Sequence, residues 1–164
     1  MEEVYSDRRK RLVLVNFIIV AIYLAIGLQP AWAEKYDIAT ELEIPSIGLK
    51  SDVTTVHPVD AKLETPNSIV GRYSSHKNKT FLYGHASGVF RDLDKLEIGA
   101  LIYYDELYYE VVDAIVMERD KIEMGYLLDA AEVDTLVIMT CAGESLGGGE
   151  ATHRLILTAK VVPS

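Results

Sequence analysis

The chain has 164 residues, of which 49% are hydrophobic and 25% are charged, a composition typical of one globular domain with a packed core. The net charge of −9, from 25 acidic and 16 basic residues, argues against a nucleic-acid-binding protein, because phosphate binding needs clustered lysine and arginine. The single cysteine, Cys141, cannot form an internal disulfide, so packing alone must hold the core.

The N-terminal region predicts a membrane anchor. Residues 12–28 carry no charge, and a cluster of basic residues precedes them, which by the positive-inside rule keeps the N-terminus in the cytoplasm. The stretch from Ala31 to Ala33 has the small-x-small form of a signal-peptidase site, so a signal sequence is the alternative to a retained anchor. The predicted cytoplasmic tail, transmembrane anchor, linker and extracytoplasmic domain are residues 1–11, 12–29, 30–40 and 41–164.

Beyond the linker, short apolar runs separated by turn residues predict strands rather than long helices. The predicted strands are residues 41–49, 53–56, 80–85, 101–104, 107–117, 135–141 and 155–162. Apolar residues at helical spacing predict two short helical segments, residues 90–98 and 124–131. About seven to eight short strands with one or two short helices indicate a mainly β fold, in particular a closed or nearly closed β-barrel.

Three residues have the chemistry of a thiol active site. Cys141 ends an apolar run, Arg154 begins the next one, and His85 ends a third. A neighbouring cation stabilises a thiolate, and a guanidinium or a backbone amide stabilises the oxyanion that forms when a thiolate attacks a carbonyl. The alternative is that Cys141 is a small buried hydrophobe and that the other two are solvated strand-end residues. The glycine run from residue 147 to 149 is either a plain hairpin connection or a flexible segment beside the thiol.

Three separated motifs together resemble the sortase family of Gram-positive-type cysteine transpeptidases. The first, FLYGH, resembles the strand that ends in the family's catalytic histidine. The second, FRDLDKLEIGA, matches the family's spaced Phe, Leu, Leu and Gly, but has Ala100 where Asp is usual. The third, IMTC followed by RLILTA, resembles the cysteine strand and the arginine-bearing final strand, although Val137 and Ile138 replace the expected Thr and Leu. These departures leave the subclass open. The motifs occupy residues 81–85, 90–100, 138–141 and 154–159.

The resemblance implies a sortase-like closed barrel in which Cys141 is the nucleophile, His85 the acid–base partner and Arg154 the oxyanion-stabilising group. Thr140 is expected either to contact substrate or to position the backbone, and His153 ranks below His85 as the base. We expect no cofactor and no metal. One cysteine and scattered histidines lack ligand spacing, and the acidic residues 118, 120 and 123 are too generic to carry over the calcium site that some relatives have.

The function expected from the resemblance is that of a membrane-anchored transpeptidase at the cell membrane. It would cleave a C-terminal sorting motif of secreted proteins through a thioacyl intermediate, and pass the acyl group to an amine of the cell wall or a pilin lysine. Two alternatives stay open. One is a catalytically silent β-barrel that binds peptides or assembles wall or pilus components, and the other is a cysteine peptidase with water as the acceptor.

Overall fold

The computed structural model of the protein describes residues 38–56, 65, 66 and 68–163. The predicted cytoplasmic tail, the anchor and nearly all of the linker lie outside the described residues. The chain divides into two compact units, Met1–Asp37 and Ile38–Ser164, and the second contains all of the described residues. Within the described ranges, no helix is long and apolar enough to cross a membrane.

Within the described part of the second unit, eight strands form a closed barrel in the order β1-β2-β3-β4-β7-β8-β6-β5. The strands are β1 Ile38–Ile44, β2 Leu49–Thr55, β3 Val70–His76, β4 Lys79–Tyr83, β5 Leu101–Tyr104, β6 Leu107–Glu118, β7 Thr135–Gly147 and β8 Glu150–Val161. The same described residues contain one short helix, α1, at Met124–Leu128, and three 3₁₀ turns at Pro45–Ile47, Leu93–Lys95 and Arg119–Lys121. The predicted mainly β, closed-barrel fold is confirmed.

The relative directions of neighbouring strands determine which strand ends lie at the same edge of the barrel. The pairs β2–β3 and β4–β7 are parallel, and the other six pairs are antiparallel. A parallel pair needs a long crossover and places the carboxyl ends of both strands at the same edge. In the β4–β7 pair, Tyr83 lies opposite Met139, so the residues that follow these two positions emerge together.

Both faces are buried from Phe81 to Tyr83 in β4 and from Thr135 to Ile138 in β7, which explains the nearly continuous apolar sequence of these segments. Leu82 and Ile138 pack inside the barrel in the main hydrophobic core. The residues that alternate with them, Phe81 and Val137, pack on the outside in a second cluster. Leu127 of α1 belongs to this second cluster and is buried, so the short helix covers the outer face of these two strands.

Several predicted elements differ from the observed ones. The predicted helix at residues 90–98 is wrong: the segment is a series of turns with one 3₁₀ turn, although Phe90 and Leu93 are buried. Spacings of three residues suit a 3₁₀ turn as well as an α-helix, so periodicity did not separate the two. The predicted strand at residues 41–49 is two strands, because Pro45 and Gly48, the latter at φ 63°, make a turn between them. The predicted helix near residue 124 is confirmed as α1.

Candidate active site

The barrel brings the three predicted thiol-site residues to one end. His85 lies two residues after β4 and Cys141 lies in β7, so the parallel β4–β7 pair carries both to the same edge. Arg154 lies in β8 directly opposite Cys141 in the antiparallel register. All three residues line one cleft of about 290 Å³. The proximity expected from the sequence is therefore observed.

This first cleft has an apolar side and a polar side. Phe81, Tyr83 and Met139 contribute the apolar lining, and Glu150 adds a carboxylate beside the three predicted residues. A second cleft of about 210 Å³ also opens onto His85 and Cys141, and its further lining includes Ser87, Gly143 and Ser145. The thiol is therefore reached from two clefts, one with an apolar wall and one lined mainly by small and polar residues.

Cys141 is a free, half-buried thiol rather than a fully buried core residue. Its Sγ lies 3.5 Å from the carbonyl oxygen of Gly149, to which the protonated thiol donates a hydrogen bond. Immediately after Cys141, the register between β7 and β8 shifts between Ala142 and Ser145, with Gly143 at φ 77°. An irregularity of this kind turns the strand and its side chains locally, and bulges are over-represented next to active sites.

Arg154 is held firmly by the hairpin that β7 and β8 form. Its Nη1 donates to the carbonyl oxygens of Ala151 and His153, both at 2.9 Å, and its Nη2 donates to Glu150 Oε2 at 3.0 Å. Only 13% of its side chain is exposed. This placement contradicts the alternative of a solvated strand-edge arginine. A guanidinium has five N–H groups, so these three hydrogen bonds leave two for another acceptor.

Thr140 connects the cysteine strand to the histidine segment. Its Oγ1 donates a 2.8 Å hydrogen bond to the carbonyl oxygen of Gly84, and the threonine is only 4% exposed. Gly84 also donates its N–H to the carbonyl oxygen of Met139 at 3.3 Å. A Cβ at Gly84 would lie 2.6 Å from Cγ1 of Val89, so the close packing before His85 requires glycine. Thr140 thus fixes the backbone of the residue that precedes His85.

Glu150 is the site residue that the sequence reasoning missed. Its Oε2 accepts hydrogen bonds from Arg154 and from Arg119 Nη1, the latter at 3.2 Å. The hydrogen bond from Arg154, followed by that from Arg119, lowers the pKa of the Glu150 carboxyl below its ordinary value of 4.5. The available signal was the glycine pair before Glu150, because a two-residue hairpin turn returns the next residue to the partner strand.

His153, the rival base, lies opposite Ala142 in the register and lines neither of the two clefts. Its Nδ1 lies 2.8 Å from Thr152 Oγ1. Among the described residues, no group of three or more His, Cys, Asp or Glu side chains is arranged to hold a metal ion.

A family model described as the sortase domain matches residues 42–162. No curated protein matches the chain in sequence. Among solved structures, sortase C-1 of Actinomyces oris has a TM-score of 0.59 at 23% identity, covering 78% of this chain and 74% of its own. The Sortase D5 transpeptidase of Clostridium perfringens has a TM-score of 0.62 at 21% identity, covering 77% and 80%. Sortase C1 of Streptococcus suis has a TM-score of 0.58 at 25% identity, covering 80% and 76%.

Proposed function

The chain belongs to the sortase family, and from that premise we propose that it is a cysteine transpeptidase that cleaves a sorting motif near the C-terminus of secreted proteins. The acyl group would pass through a thioester on Cys141 to an amine of the cell wall or a pilin lysine. The observation that carries the proposal is the position of His85, Cys141 and Arg154 around one cleft with an apolar wall. The family and the fold support the reaction class, and the residue roles are part of the proposal.

Acylation in this scheme begins when the Cys141 thiol gives its proton to His85, and the resulting thiolate sulfur then forms a bond to the scissile carbonyl carbon. The carbonyl electron pair moves to oxygen, and the two N–H groups of Arg154 without partners in the hairpin donate to the oxyanion. When the oxyanion collapses, the carbon–nitrogen bond breaks and the leaving amine takes a proton from His85. The products are a thioester on Cys141 and a free C-terminal fragment.

Transfer of the acyl group reverses these roles. Neutral His85 accepts a proton from the incoming amine, the nitrogen attacks the thioester, and the sulfur leaves as the thiolate. The two clefts that meet at Cys141 support this sequence, since a peptide in the cleft with the apolar wall leaves the second cleft for the acceptor. We further propose that Phe81, Tyr83 and Met139 bind an apolar side chain of the sorting motif.

We also propose that the protein is a single-pass membrane protein with its catalytic domain outside the cytoplasm. The support is the uncharged stretch at residues 12–28 and the basic cluster before it. An enzyme anchored in this way would lie close to secreted substrates that are themselves held at the membrane.

The experiment that tests the function is thioester trapping. The purified chain is incubated with a library of sorting-type peptides, and mass spectrometry identifies an acyl adduct on Cys141, with Cys141→Ala as the control. Addition of oligoglycine or a diaminopimelate-type amine then distinguishes transfer from hydrolysis. A folded protein that no peptide acylates, and whose thiol reactivity is unchanged by His85→Ala, contradicts the proposal and favours a catalytically silent barrel.

A further inference from the structure

The tip of the β7–β8 hairpin, residues 147–150, contacts the reactive groups directly. Gly147, Gly148 and Gly149 have φ values of 86°, 61° and 83°, so β7 and β8 continue into a tight two-residue turn rather than a slack loop. The carbonyl oxygen of Gly149 accepts the Cys141 thiol, and a Cβ built on Gly149 would lie 3.7 Å from His85 Cε1. The hairpin tip therefore lies against the thiol and the histidine ring.

The same tip places a carboxylate on the oxyanion-stabilising arginine. Glu150 Oε2 is shared between Arg154 Nη2 at 3.0 Å and Arg119 Nη1 at 3.2 Å. Arg119 belongs to the 3₁₀ turn that follows β6, so this ionic bridge joins the tip to a second element. The bridge spans from Arg119 through Glu150 to the guanidinium of Arg154.

Glu150 is not the only acceptor that holds Arg154. The two carbonyl acceptors on Nη1, those of Ala151 and His153, already hold the guanidinium in the hairpin. The carboxylate takes a further N–H and offsets the positive charge that a developing oxyanion needs. It therefore weakens the attraction of Arg154 for a developing oxyanion, although two other N–H groups of the guanidinium have no partner within the hairpin.

The hydrogen bond between the Cys141 thiol and the Gly149 carbonyl also disfavours the reactive state of the site. A thiolate has no proton to donate, so only the protonated form of Cys141 makes the hydrogen bond to Gly149. The reactive species is the thiolate. In this position the tip favours the protonated, unreactive thiol and lies against the His85 ring. It also pairs the Glu150 carboxylate with Arg154.

We propose that the hairpin tip is an autoinhibitory latch, which Glu150 holds closed on Arg154 and Arg119 until a bound peptide displaces the tip. The identity of the displacing ligand rests on the proposed function. The latch itself is a property of the free protein, so it can be measured without any peptide.

The test is the alkylation rate of Cys141 by iodoacetamide in Glu150→Gln and in the parent protein, followed by mass spectrometry. The substitution keeps the size of the side chain and removes its charge. Because the Glu150 side chain is 55% exposed and its ion pairs are correspondingly weak, we expect the rate to rise about two- to fivefold. Added salt screens the bridge, so 0.5 M salt should raise the rate of the parent and change that of the variant little.

The matched control is Glu41→Gln. Glu41 lies in β1, is 45% exposed and pairs with Lys50 at 2.7 Å, outside both clefts, so the substitution removes the same charge without touching the latch. Its alkylation rate should equal that of the parent. Equal rates for Glu150→Gln and the parent, or a slower variant with unchanged melting, would overturn the latch.

The two proposals fail separately in this experiment. A faster Glu150→Gln whose thiol no sorting-type peptide acylates retains the latch and removes the proposed function. Peptide acylation of the parent, with Glu150→Gln unchanged in both alkylation and acylation, retains the function and removes the latch.

Discussion

Replacing Thr140 by valine isolates the contact that joins the cysteine strand to the histidine segment. The substitution removes the 2.8 Å hydrogen bond to Gly84 and leaves a buried carbonyl without that donor, at a cost of about 1 to 3 kcal/mol. The added methyl group recovers about 0.8 kcal/mol by burial. We therefore expect the free energy of unfolding in denaturant to fall by up to about 2 kcal/mol. Because Gly84 precedes His85, we also expect peptide acylation to slow by about 10- to 100-fold.

The control for this prediction lies in the same strand. Thr135 is buried like Thr140 and donates a 2.8 Å hydrogen bond to the carbonyl oxygen of Val133, but it lies at the start of β7 and lines neither cleft at the thiol. Thr135→Val should lose stability and keep the parent's acylation rate. If Thr140→Val is destabilised but acylates within about threefold of the parent, its contact is structural only, and the reasoning about His85 is wrong.

Three further outcomes are expected. Arg154→Ala should slow single-turnover acylation by about 10²- to 10³-fold in a protein that still folds, and Arg154→Lys should recover only part of the lost rate, because a point charge lacks the planar fork; rates within about threefold of the parent would contradict the oxyanion role. Gly84→Ala should lose about 1 to 3 kcal/mol in denaturant unfolding, because its Cβ would lie 2.6 Å from Val89 Cγ1; unchanged stability would show that Val89 rotates away. Burial is the main cause that raises the pKa of Tyr109 to about 12. The neutral phenol therefore stabilises the folded state below pH 10, and this stabilisation is lost as the pH rises from 10 through 12. Tyr109→Phe should remove that alkaline loss, and an equal loss in the variant would refute this assignment.

The mainly β fold and the proximity of Cys141 to Arg154 were predictable from the sequence, because both depend on patterns among residues that are close together in the chain. Short apolar runs specify strands, and two consecutive strands joined by glycines specify an antiparallel pair. The meeting with His85 followed from the family resemblance, since it depends on β4 and β7 being parallel, which no local pattern specifies.

Other features depend on contacts that the sequence does not display locally. Strand β3, Val70–His76, was missed because its polar residues from Ser74 onward indicate a turn. The role of Glu150 depends on Arg119, which lies 31 residues earlier in the chain and reaches it only across the folded sheet. The extension of β7 to Gly147 was missed because glycines weaken strand propensity, whereas the two-residue turn at the tip requires them.

We expect the parallel β4–β7 pair to determine when the candidate active site forms during folding. Thr140 and Gly84 are 56 residues apart in the chain, and no hairpin can bring parallel strands together. The loop that contains β5, β6 and α1 must close before these two residues meet. Closing so long a loop carries an entropic cost that local hairpins avoid. We therefore expect the β5–β6 hairpin to form early and the thiol site late, an order that pulsed alkylation of Cys141 during refolding would reveal. A substitution in the crossover is thus expected to change how fast the enzyme becomes active, even where it leaves the finished site untouched.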